Sequence, residues 1–275
     1  MSAIVRRLPA PLRRRIRDWR EREHVREVDA RLAPMQVLCG PLTCKRVLDL
    51  GCDSGFTIRR CMALCAREAL DLNPGVKARE LEPSCRIEQR DAARSGLPAD
   101  AYGLAVSFAA FEHFQKLPDV LAETQRVLRP GGLLYAHFGP IWSGPDGHHL
   151  WVNHQGRSYN YLNTTLPSWC HLLMTHAELM DVCVPRHGRE AAERIVSYVF
   201  DCPDHNHLFY EDYLEVFAGA RGLRRLLVTG KVQSRGLAGA VPGDVPGLLA
   251  RLQSRYPGRQ GFLCEAVEVL LQKPA

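Results

Sequence analysis

The segment VLDLGCDSG, residues 47–55, decides the fold that this sequence predicts. Its first four residues form a short run with the composition of a buried strand. The run ends at Gly51, and Gly55 closes a turn before helical spacing of apolar residues begins over 56–66. Because glycine adopts backbone angles that other residues avoid, we predict a strand, a tight glycine turn and a helix.

Strand and helix patterns alternate on the C-terminal side of this segment. Runs of strand length occur at residues 47–50, 68–72, 86–89, 104–108, 133–138, 223–228 and 262–272. Helical spacing occurs at residues 56–66, 117–128, 210–220 and 245–255. This alternation is typical of βαβ units, whose parallel strands carry helices on both faces. We therefore predict an α/β fold with a Rossmann-like, doubly wound, seven-stranded and mostly parallel sheet.

The pattern divides the chain into four regions. Residues 1–44 form a basic helical arm, residues 45–138 form the core, and residues 209–275 complete the sheet. Residues 139–208, called the insertion below, lack strand character and are too long for an ordinary connection. We predict that this insertion, after the fifth strand, is a mainly helical lid. A dimerisation element or a surface hairpin is the alternative.

The net charge of +6 is concentrated near the N-terminus, where residues 1–48 hold 12 Lys and Arg against 5 Asp and Glu. The arm can be a solvated face over an apolar stripe, a nucleic-acid contact, or an anchor to an anionic surface. The predicted stripe consists of Leu8, Leu12, Ile16, Trp19, Val25, Val28, Leu32 and Met35. No RNA-recognition module accompanies the arginines. The sequence favours a small-molecule substrate over nucleic acid, with a homodimer as a further option.

The cysteines and the hydropathy of the chain indicate where in the cell the protein is located. The 10 cysteines are scattered without a CxxC pair, which is typical of reduced thiols. No apolar run is long enough to cross a bilayer. The arginines and prolines of the first residues argue against a secretory signal and leave a mitochondrial presequence open. We expect a cytoplasmic protein.

The charge of the glycine turn indicates its ligand. Asp49 and Asp53 flank Gly51 without a basic side chain, so the turn would repel the pyrophosphate of a dinucleotide. Asp71 lies 20 residues beyond Gly51, at the offset where an acidic residue accepts hydrogen bonds from a ribose. The turn therefore predicts a ligand with a positive group and a ribose.

Successive segments of the chain resemble the motifs of class I S-adenosylmethionine-dependent methyltransferases. These segments are residues 47–55, Asp71, Arg90-Asp91-Ala92, Ser107-Phe108 with Glu112-His113, and residues 128–132. The resemblance implies that S-adenosyl-L-methionine is the cofactor. Asp53 departs from the pattern, because the family usually has a second glycine there.

The resemblance also implies individual roles. The predicted cofactor-binding residues are Asp49, Gly51, Cys52, Asp53, Gly55, Asp71, Leu72, Asp91, Ala92 and Phe108. In the family pattern, the residues around Gly51 cradle the methionine portion, Asp71 holds the ribose, Asp91 with Ala92 meets the adenine, and Phe108 lies beside the sulfonium. The alternatives are a capping role for Asp91 or Asp49, a turn role for Asp71 before Asn-Pro-Gly, and a plain core role for Phe108.

Methyl transfer from a sulfonium is an in-line displacement, so the protein mainly aligns the reactants and supplies a base where the nucleophile is protonated. The candidate catalytic residues are His113, His137, His148, His149 and Tyr159. Tyr135 and His137 alternate along the fifth strand and predict the floor of the site, with aromatic residues of the insertion as its cover.

Two groups of side chains raise the question of a metal ion. They are His148, His149 and His154, and Cys202, His205 and His207. Neither group has the four-ligand spacing of a structural zinc site. The sequence therefore predicts no metal.

We predict a methyltransferase that acts on oxygen or nitrogen of a small metabolite. A cyclase or lyase that releases methylthioadenosine, as azetidine-forming relatives of the fold do, would need the same binding residues. An RNA-associated methyltransferase and a non-catalytic cofactor-binding protein are further alternatives.

Overall fold

The computed structural model describes residues 10–43, 45–51, 55–64, 66, 68–72, 75, 77–164, 166–232, 237 and 244–275, without the side chains of residues 10–21, 24 and 68–71. Within these residues, no helix combines the length and the apolar character that a membrane span requires.

A mixed sheet forms the centre of the molecule. The described strands are β1 (Arg46–Leu50), β2 (Glu68–Leu72), β3 (Arg79–Glu82), β4 (Cys85–Glu88), β5 (Tyr102–Phe108), β6 (Leu128–Phe138), β7 (Trp151–His154), β8 (Arg157–Asn160), β9 (Arg224–Val232) and β10 (Cys264–Gln272). All except β7 and β8 form one sheet, in the order β3-β4-β2-β1-β5-β6-β10-β9. The five strands from β4 to β6 in this order are parallel, whereas β3, β10 and β9 are antiparallel to their neighbours.

Helices cover both faces of the sheet, as the doubly wound prediction requires. The described α-helices are α1 (Ala10–Cys39), α2 (Phe56–Ala63), α3 (Leu117–Val127), α4 (Cys170–Leu173), α5 (His176–His187), α6 (Arg189–Asp201), α7 (Tyr210–Ala218) and α8 (Val245–Arg255). Leu121 of α3 and Phe217 of α7 belong to one core, and Leu32 of α1 and Ile58 of α2 belong to another. Between these two layers β5 is buried along its whole length, as expected for a central parallel strand.

The N-terminal arm packs on the sheet through α1. Val28, Leu32 and Met35, which belong to the predicted apolar stripe, are buried. The guanidinium of Arg60 on α2 donates two hydrogen bonds, of 2.5 and 3.0 Å, to the carboxylate of Asp29. This ion pair fixes α1 against α2 beside the glycine turn. The more N-terminal members of the stripe, residues 8, 12, 16 and 19, have side chains outside the described part.

The predicted count of seven strands in the sheet is wrong, because the described sheet has eight. The additional strand, β3, pairs antiparallel with β4 at one edge. Its sequence, RELE, is charged and mostly exposed, so it lacks the apolar run that marks a buried strand. A charged edge strand discourages pairing with a further chain.

The insertion differs from the mainly helical segment that the sequence predicted. It contains an antiparallel hairpin of β7 and β8 before helices α4, α5 and α6. The hairpin strands have only 4 residues each, too few for an alternating pattern to stand out. Tyr159, Leu179 and Ile195 are buried in an apolar core that the insertion builds for itself. The insertion is thus a compact unit.

A hydrogen-bonded carboxylate on α3 predicts acid-sensitive stability. Glu123 accepts hydrogen bonds from Arg126, two at 2.8 Å, from the Ser95 backbone N–H at 3.0 Å, and from the Ser95 hydroxyl. The hydrogen bonds from Arg126, followed by those from Ser95, lower the pKa of Glu123 to about 2. Because the folded-state pKa is depressed, this stabilisation is complete above about pH 4.5 and is lost as the pH falls towards 2.

We predict that Glu123→Gln lowers the free energy of unfolding by about 1–3 kcal/mol at pH 7, and that this difference shrinks between pH 4.5 and pH 3. Urea unfolding of both proteins across this range measures it. Asp119→Asn, which removes an exposed carboxylate from the same helix, is the control. A penalty that stays constant with pH would show that the Glu123 carboxylate is not specially stabilised.

Candidate functional site

The glycine turn is closed by a backbone conformation that only glycine adopts easily. Gly51 has φ +96° and Gly55 has φ +73°. The Gly51 N–H donates to the Leu72 carbonyl at 3.1 Å, which joins the ends of β1 and β2. A Cβ on Gly51 would lie 2.8 Å from the Ala110 Cβ. The turn therefore lies directly against the segment that follows β5. The predicted ligands Cys52 and Asp53 lie outside the described residues.

Two acidic residues meet at the carboxyl ends of β1 and β2. Asp49 is fully buried and pairs in register with Asp71 on the neighbouring strand; the Asp71 side chain is outside the described part. Ser107 on β5 donates its hydroxyl to the Leu50 carbonyl at 2.8 Å. The strand ends that would hold a cofactor are therefore tied together. The predicted role of Leu72 remains a prediction; its side chain is buried.

The predicted adenine contacts sit at the next loop along the same edge. The exposed Asp91 caps the short 3-10 helix Ala92–Arg94, with its carboxylate accepting from the Ala93 N–H at 2.8 Å. Ala92 is buried in the core. This geometry matches the capping alternative for Asp91 and leaves its contact with adenine as a prediction.

Phe108 is the last residue of β5 and is buried. Its ring lies 5.8 Å from that of Tyr135. The ring thus takes part in core packing at the edge of the sheet where the cofactor is predicted to bind. Its contact with a sulfonium remains a prediction.

Glu112, in the 3-10 helix Phe111–His113, has a buried carboxyl group that the sequence did not predict. Its side chain is fully buried, and Oε1 accepts from the Gly139 N–H at 3.1 Å. Oε2 has no hydrogen-bond partner in the described part of the chain. Burial raises the pKa of Glu112 to about 8. The sequence around Glu112 does not reveal this burial, because a glutamate is usually exposed.

Three imidazoles converge beside this helix. His113 follows Glu112, His149 lies in the insertion with φ +46°, and His205 lies near the end of the insertion. The ring centroids are 4.9 Å apart for His113 and His149, 5.1 Å for His113 and His205, and 4.2 Å for His149 and His205. We call this group the imidazole cluster. The cluster contains His113 and His149, which the sequence predicts as catalytic residues. It also contains His205, which the sequence suggested only as a possible metal ligand.

Hydrogen bonds hold the third imidazole against the core. Asn206 donates its backbone N–H to the Glu112 carbonyl at 2.9 Å and its side-chain amide to the Phe111 carbonyl at 2.8 Å. The Gln115 amide donates to the carbonyls of Pro203 at 2.9 Å and His205 at 2.8 Å. The end of the insertion is therefore fixed to the loop after β5, which determines where His205 lies.

The other predicted catalytic residues lie elsewhere. His137 lines a cavity of about 740 Å³, together with Tyr135 and residues of α1, β9 and β10. His148 is buried, and its Nδ1 accepts from the Leu150 N–H at 3.1 Å. Tyr159 belongs to the core of the insertion, with its ring 5.4 Å from that of His187. The structure thus brings only His113 and His149 of the five candidates together.

A cavity of about 660 Å³ opens at the imidazole cluster. It is lined by His113, Gln115, His149, Trp151, Tyr198, Pro203 and Asp204. The lining comes both from the loop after β5 and from the insertion. Its volume is in the range of small-molecule sites.

Burial governs the charge of the cluster. It lowers the pKa of His149 to about 3, with a further contribution from His113. It also lowers the pKa of His205, with smaller contributions from the neighbouring imidazoles. At neutral pH both rings are therefore neutral and offer lone pairs to a ligand.

Comparison with known proteins agrees with this architecture. Residues 48–136 match the family described as "Methyltransferase domain". A phthiotriol/phenolphthiotriol dimycocerosates methyltransferase from Mycobacterium leprae is 32% identical over 107 residues, and the match spans 36% of this chain and 40% of that protein's length.

Solved structures extend the likeness to the whole fold. An S-adenosylmethionine dependent methyltransferase from Mesorhizobium loti aligns with 88% of this chain and 97% of its own, at 16% identity and a TM-score of 0.50. A Listeria monocytogenes protein assigned to the same class aligns with 90% of this chain and 99% of its own, also at 16% identity and a TM-score of 0.50. At this identity the likeness establishes the fold alone.

Residues 48–136 thus match the methyltransferase-domain family, and the fold around them is like that of the two solved structures described as S-adenosylmethionine-dependent methyltransferases. These matches agree with the predicted methyltransferase family and with S-adenosyl-L-methionine as the predicted cofactor.

The contact of the glycine turn with the loop after β5 can be tested by substitution. Gly51→Ala combines a strained positive φ with a Cβ that meets Ala110 at 2.8 Å, whereas Gly131 has φ +74° with no atom within 4 Å of a built Cβ. Both alanines carry backbone strain, and only the first also disturbs packing. We expect Gly51→Ala to lower the free energy of unfolding by about 1 kcal/mol or more beyond the loss from Gly131→Ala, measured by urea unfolding. Equal losses would show that the close contact does not restrict position 51.

Proposed function

We propose that this protein transfers the methyl group of S-adenosyl-L-methionine to oxygen or nitrogen of a small molecule, with a hydroxyl oxygen favoured. The observation that carries the proposal is the placement of the imidazole cluster and its cavity against the glycine turn of a methyltransferase domain. Gly51 and Ala110 are in contact, and His113 lies three residues beyond Ala110.

The cofactor and the acceptor have separate places in the proposed site. The cofactor occupies the edge formed by the carboxyl ends of β1, β2 and β5, where the family pattern places the methionine portion, the ribose and the sulfonium. The acceptor enters the cavity of about 660 Å³ that His113 and Gln115 of the loop after β5 help to line. In-line displacement requires the acceptor to attack the methyl carbon opposite the departing sulfur.

The lining of the cavity favours a polar acceptor. His113, Gln115 and Asp204 offer hydrogen-bonding groups, and Trp151 and Tyr198 offer rings. The cluster assists the loss of the acceptor proton, which a hydroxyl must give up on methylation. The Mycobacterium leprae relative is named as a phthiotriol/phenolphthiotriol dimycocerosates methyltransferase, and the hydroxyl groups that the word triol denotes support the preference for oxygen.

The insertion supplies the acceptor side of the site. Of the residues that line the cavity, only His113 and Gln115 come from the loop after β5. A compact unit over this opening excludes water that would compete with the intended nucleophile. The lid that the sequence predicts is proposed here as this wall.

Product analysis tests the reaction. The protein is incubated with S-adenosyl-L-methionine alone and then with a protein-free extract of small molecules, and the products are identified by mass spectrometry. We expect S-adenosylhomocysteine only in the presence of the extract. Methylthioadenosine formed from the cofactor alone would overturn methyl transfer and favour the cyclase or lyase reaction.

Cofactor binding has its own test at Asp71. We predict that Asp71→Ala weakens the binding of S-adenosylhomocysteine by about 1–3 kcal/mol, because the ribose hydroxyls lose a charged acceptor. Calorimetry measures the affinity. Asp181→Ala, which removes an exposed carboxylate of α5, is the matched control and should leave the affinity unchanged. An unchanged affinity in Asp71→Ala would remove this residue from the site.

A further inference from the structure

We propose that His113, His149 and His205 bind one divalent transition-metal ion, with Zn²⁺ the best match to three imidazole ligands. One ligand nitrogen from each residue can be chosen so that all lie within 4.8 Å of one another. Nitrogens that surround zinc at about 2.1 Å in a tetrahedral arrangement are about 3.4 Å apart. Small rotations of the exposed His113 and the half-buried His149 would close this gap.

The protonation state of the first ligand suits a metal. Nδ1 of His113 lies 2.7 Å from the carbonyl oxygen of Asp204. A carbonyl only accepts, so Nδ1 carries a hydrogen, and in the neutral ring the lone pair is then on Nε2. Histidines that bind metals generally donate their other ring N–H to a carbonyl or carboxylate in this way.

His149 offers a second nitrogen to a ligand. Its Nδ1 is buried and has no hydrogen-bond partner among the described residues. This nitrogen is therefore available to a metal ion.

His205 gives the strongest indication that something binds. It is 6% exposed, and neither ring nitrogen has a hydrogen-bond partner within the described part of the chain. A buried polar group without a partner is costly. A metal ion that accepts a lone pair from this ring would remove the cost for one of its nitrogens.

The character of the site follows from the ligand count. Imidazoles suit zinc, copper, iron and nickel ions, and three protein ligands with one open position are typical of catalytic rather than structural zinc. His113 and His149 also line the cavity of about 660 Å³, so the open position faces the proposed acceptor. On the proposed function, an acceptor hydroxyl would bind the metal there and lose its proton more easily. Metal binding itself does not depend on that function.

Zinc binding tests the site directly. Tag-free protein is stripped with a chelator and titrated with Zn²⁺ in competition with a chromophoric chelator. We expect one tightly bound Zn²⁺ per chain. His205→Gln and His113→Gln should weaken it by more than about 100-fold, since loss of an outer-shell partner alone costs about 10- to 100-fold. His176→Gln, which alters an exposed histidine of α5, is the matched control. Thermal unfolding and circular dichroism establish that each variant is folded.

The outcomes separate the metal site from other sources of zinc binding. Equal affinity in all three variants, or no binding to the unaltered protein, overturns the proposal. Because the chain has 10 cysteines, Co²⁺ is used as a second probe: imidazole ligands give visible bands without the intense sulfur charge-transfer absorption of thiolates. Thiolate absorption at one equivalent would also overturn the proposal.

Failure of the metal site and failure of the proposed function remain distinguishable. S-adenosylhomocysteine should bind His205→Gln with unchanged affinity, because the predicted cofactor residues lie at the carboxyl ends of β1, β2 and β5. A protein that binds zinc but forms no S-adenosylhomocysteine from any acceptor keeps the metal site and loses the methyl-transfer proposal. A protein that methylates an acceptor without binding zinc keeps the methyl-transfer proposal and loses the metal site.

Discussion

The contact between Gly51 and Ala110 is the constraint on which the arrangement of the site depends. Only glycine fits easily at a φ of +96° where an added Cβ would lie 2.8 Å from the Ala110 Cβ. This contact sets the distance between the turn after β1 and the loop after β5. That loop carries Glu112 and His113, and through Asn206 it also fixes His205. The edge where the cofactor is predicted to bind and the imidazole cluster are therefore positioned relative to each other by backbone packing.

The sequence predicts most of the sheet because its parallel strands are apolar. Strands such as β1 and β5, buried on both faces, give continuous apolar runs, and the glycine turn gives a second local signal. The edge strand β3 and the hairpin of β7 and β8 are missed for the opposite reason, since their residues are charged or their strands too short. The patterns that sequence reasoning uses are consequences of burial, so they fail where a strand is exposed.

The sequence predicts only those parts of the site whose residues lie close together along the chain or on adjacent strands. Asp49, Gly51 and Asp71 belong to short segments whose spacing reflects adjacent strands. The imidazole cluster, in contrast, combines residues separated by long stretches of chain. The sequence placed His149 and His205 in two different candidate metal sets and left His113 out of both. Local spacing cannot reveal this cluster, because hydrogen bonds from Asn206 and Gln115 between distant segments create it.

Tyr135 and His137 illustrate a different limit. Their alternation on one face of β6 is real, since both line the same cavity. That cavity is covered by α1, whereas the insertion lines the other one. Tyr135 donates its hydroxyl to Glu268 at 2.7 Å, and Lys231 pairs with the same carboxylate at 2.6 Å. Periodicity identifies which side chains share a face but not which element covers that face.

Both ends of the insertion are held by Glu112. The Gly139 N–H, at its start, bonds to the Glu112 carboxyl group, and the Asn206 N–H, near its end, bonds to the Glu112 carbonyl. The two points where this long segment leaves and rejoins the core are therefore neighbours. A segment attached in this way can change in length at little entropic cost to the sheet. The insertion has the geometry of a module that can be lengthened or replaced while the sheet and the glycine turn stay the same.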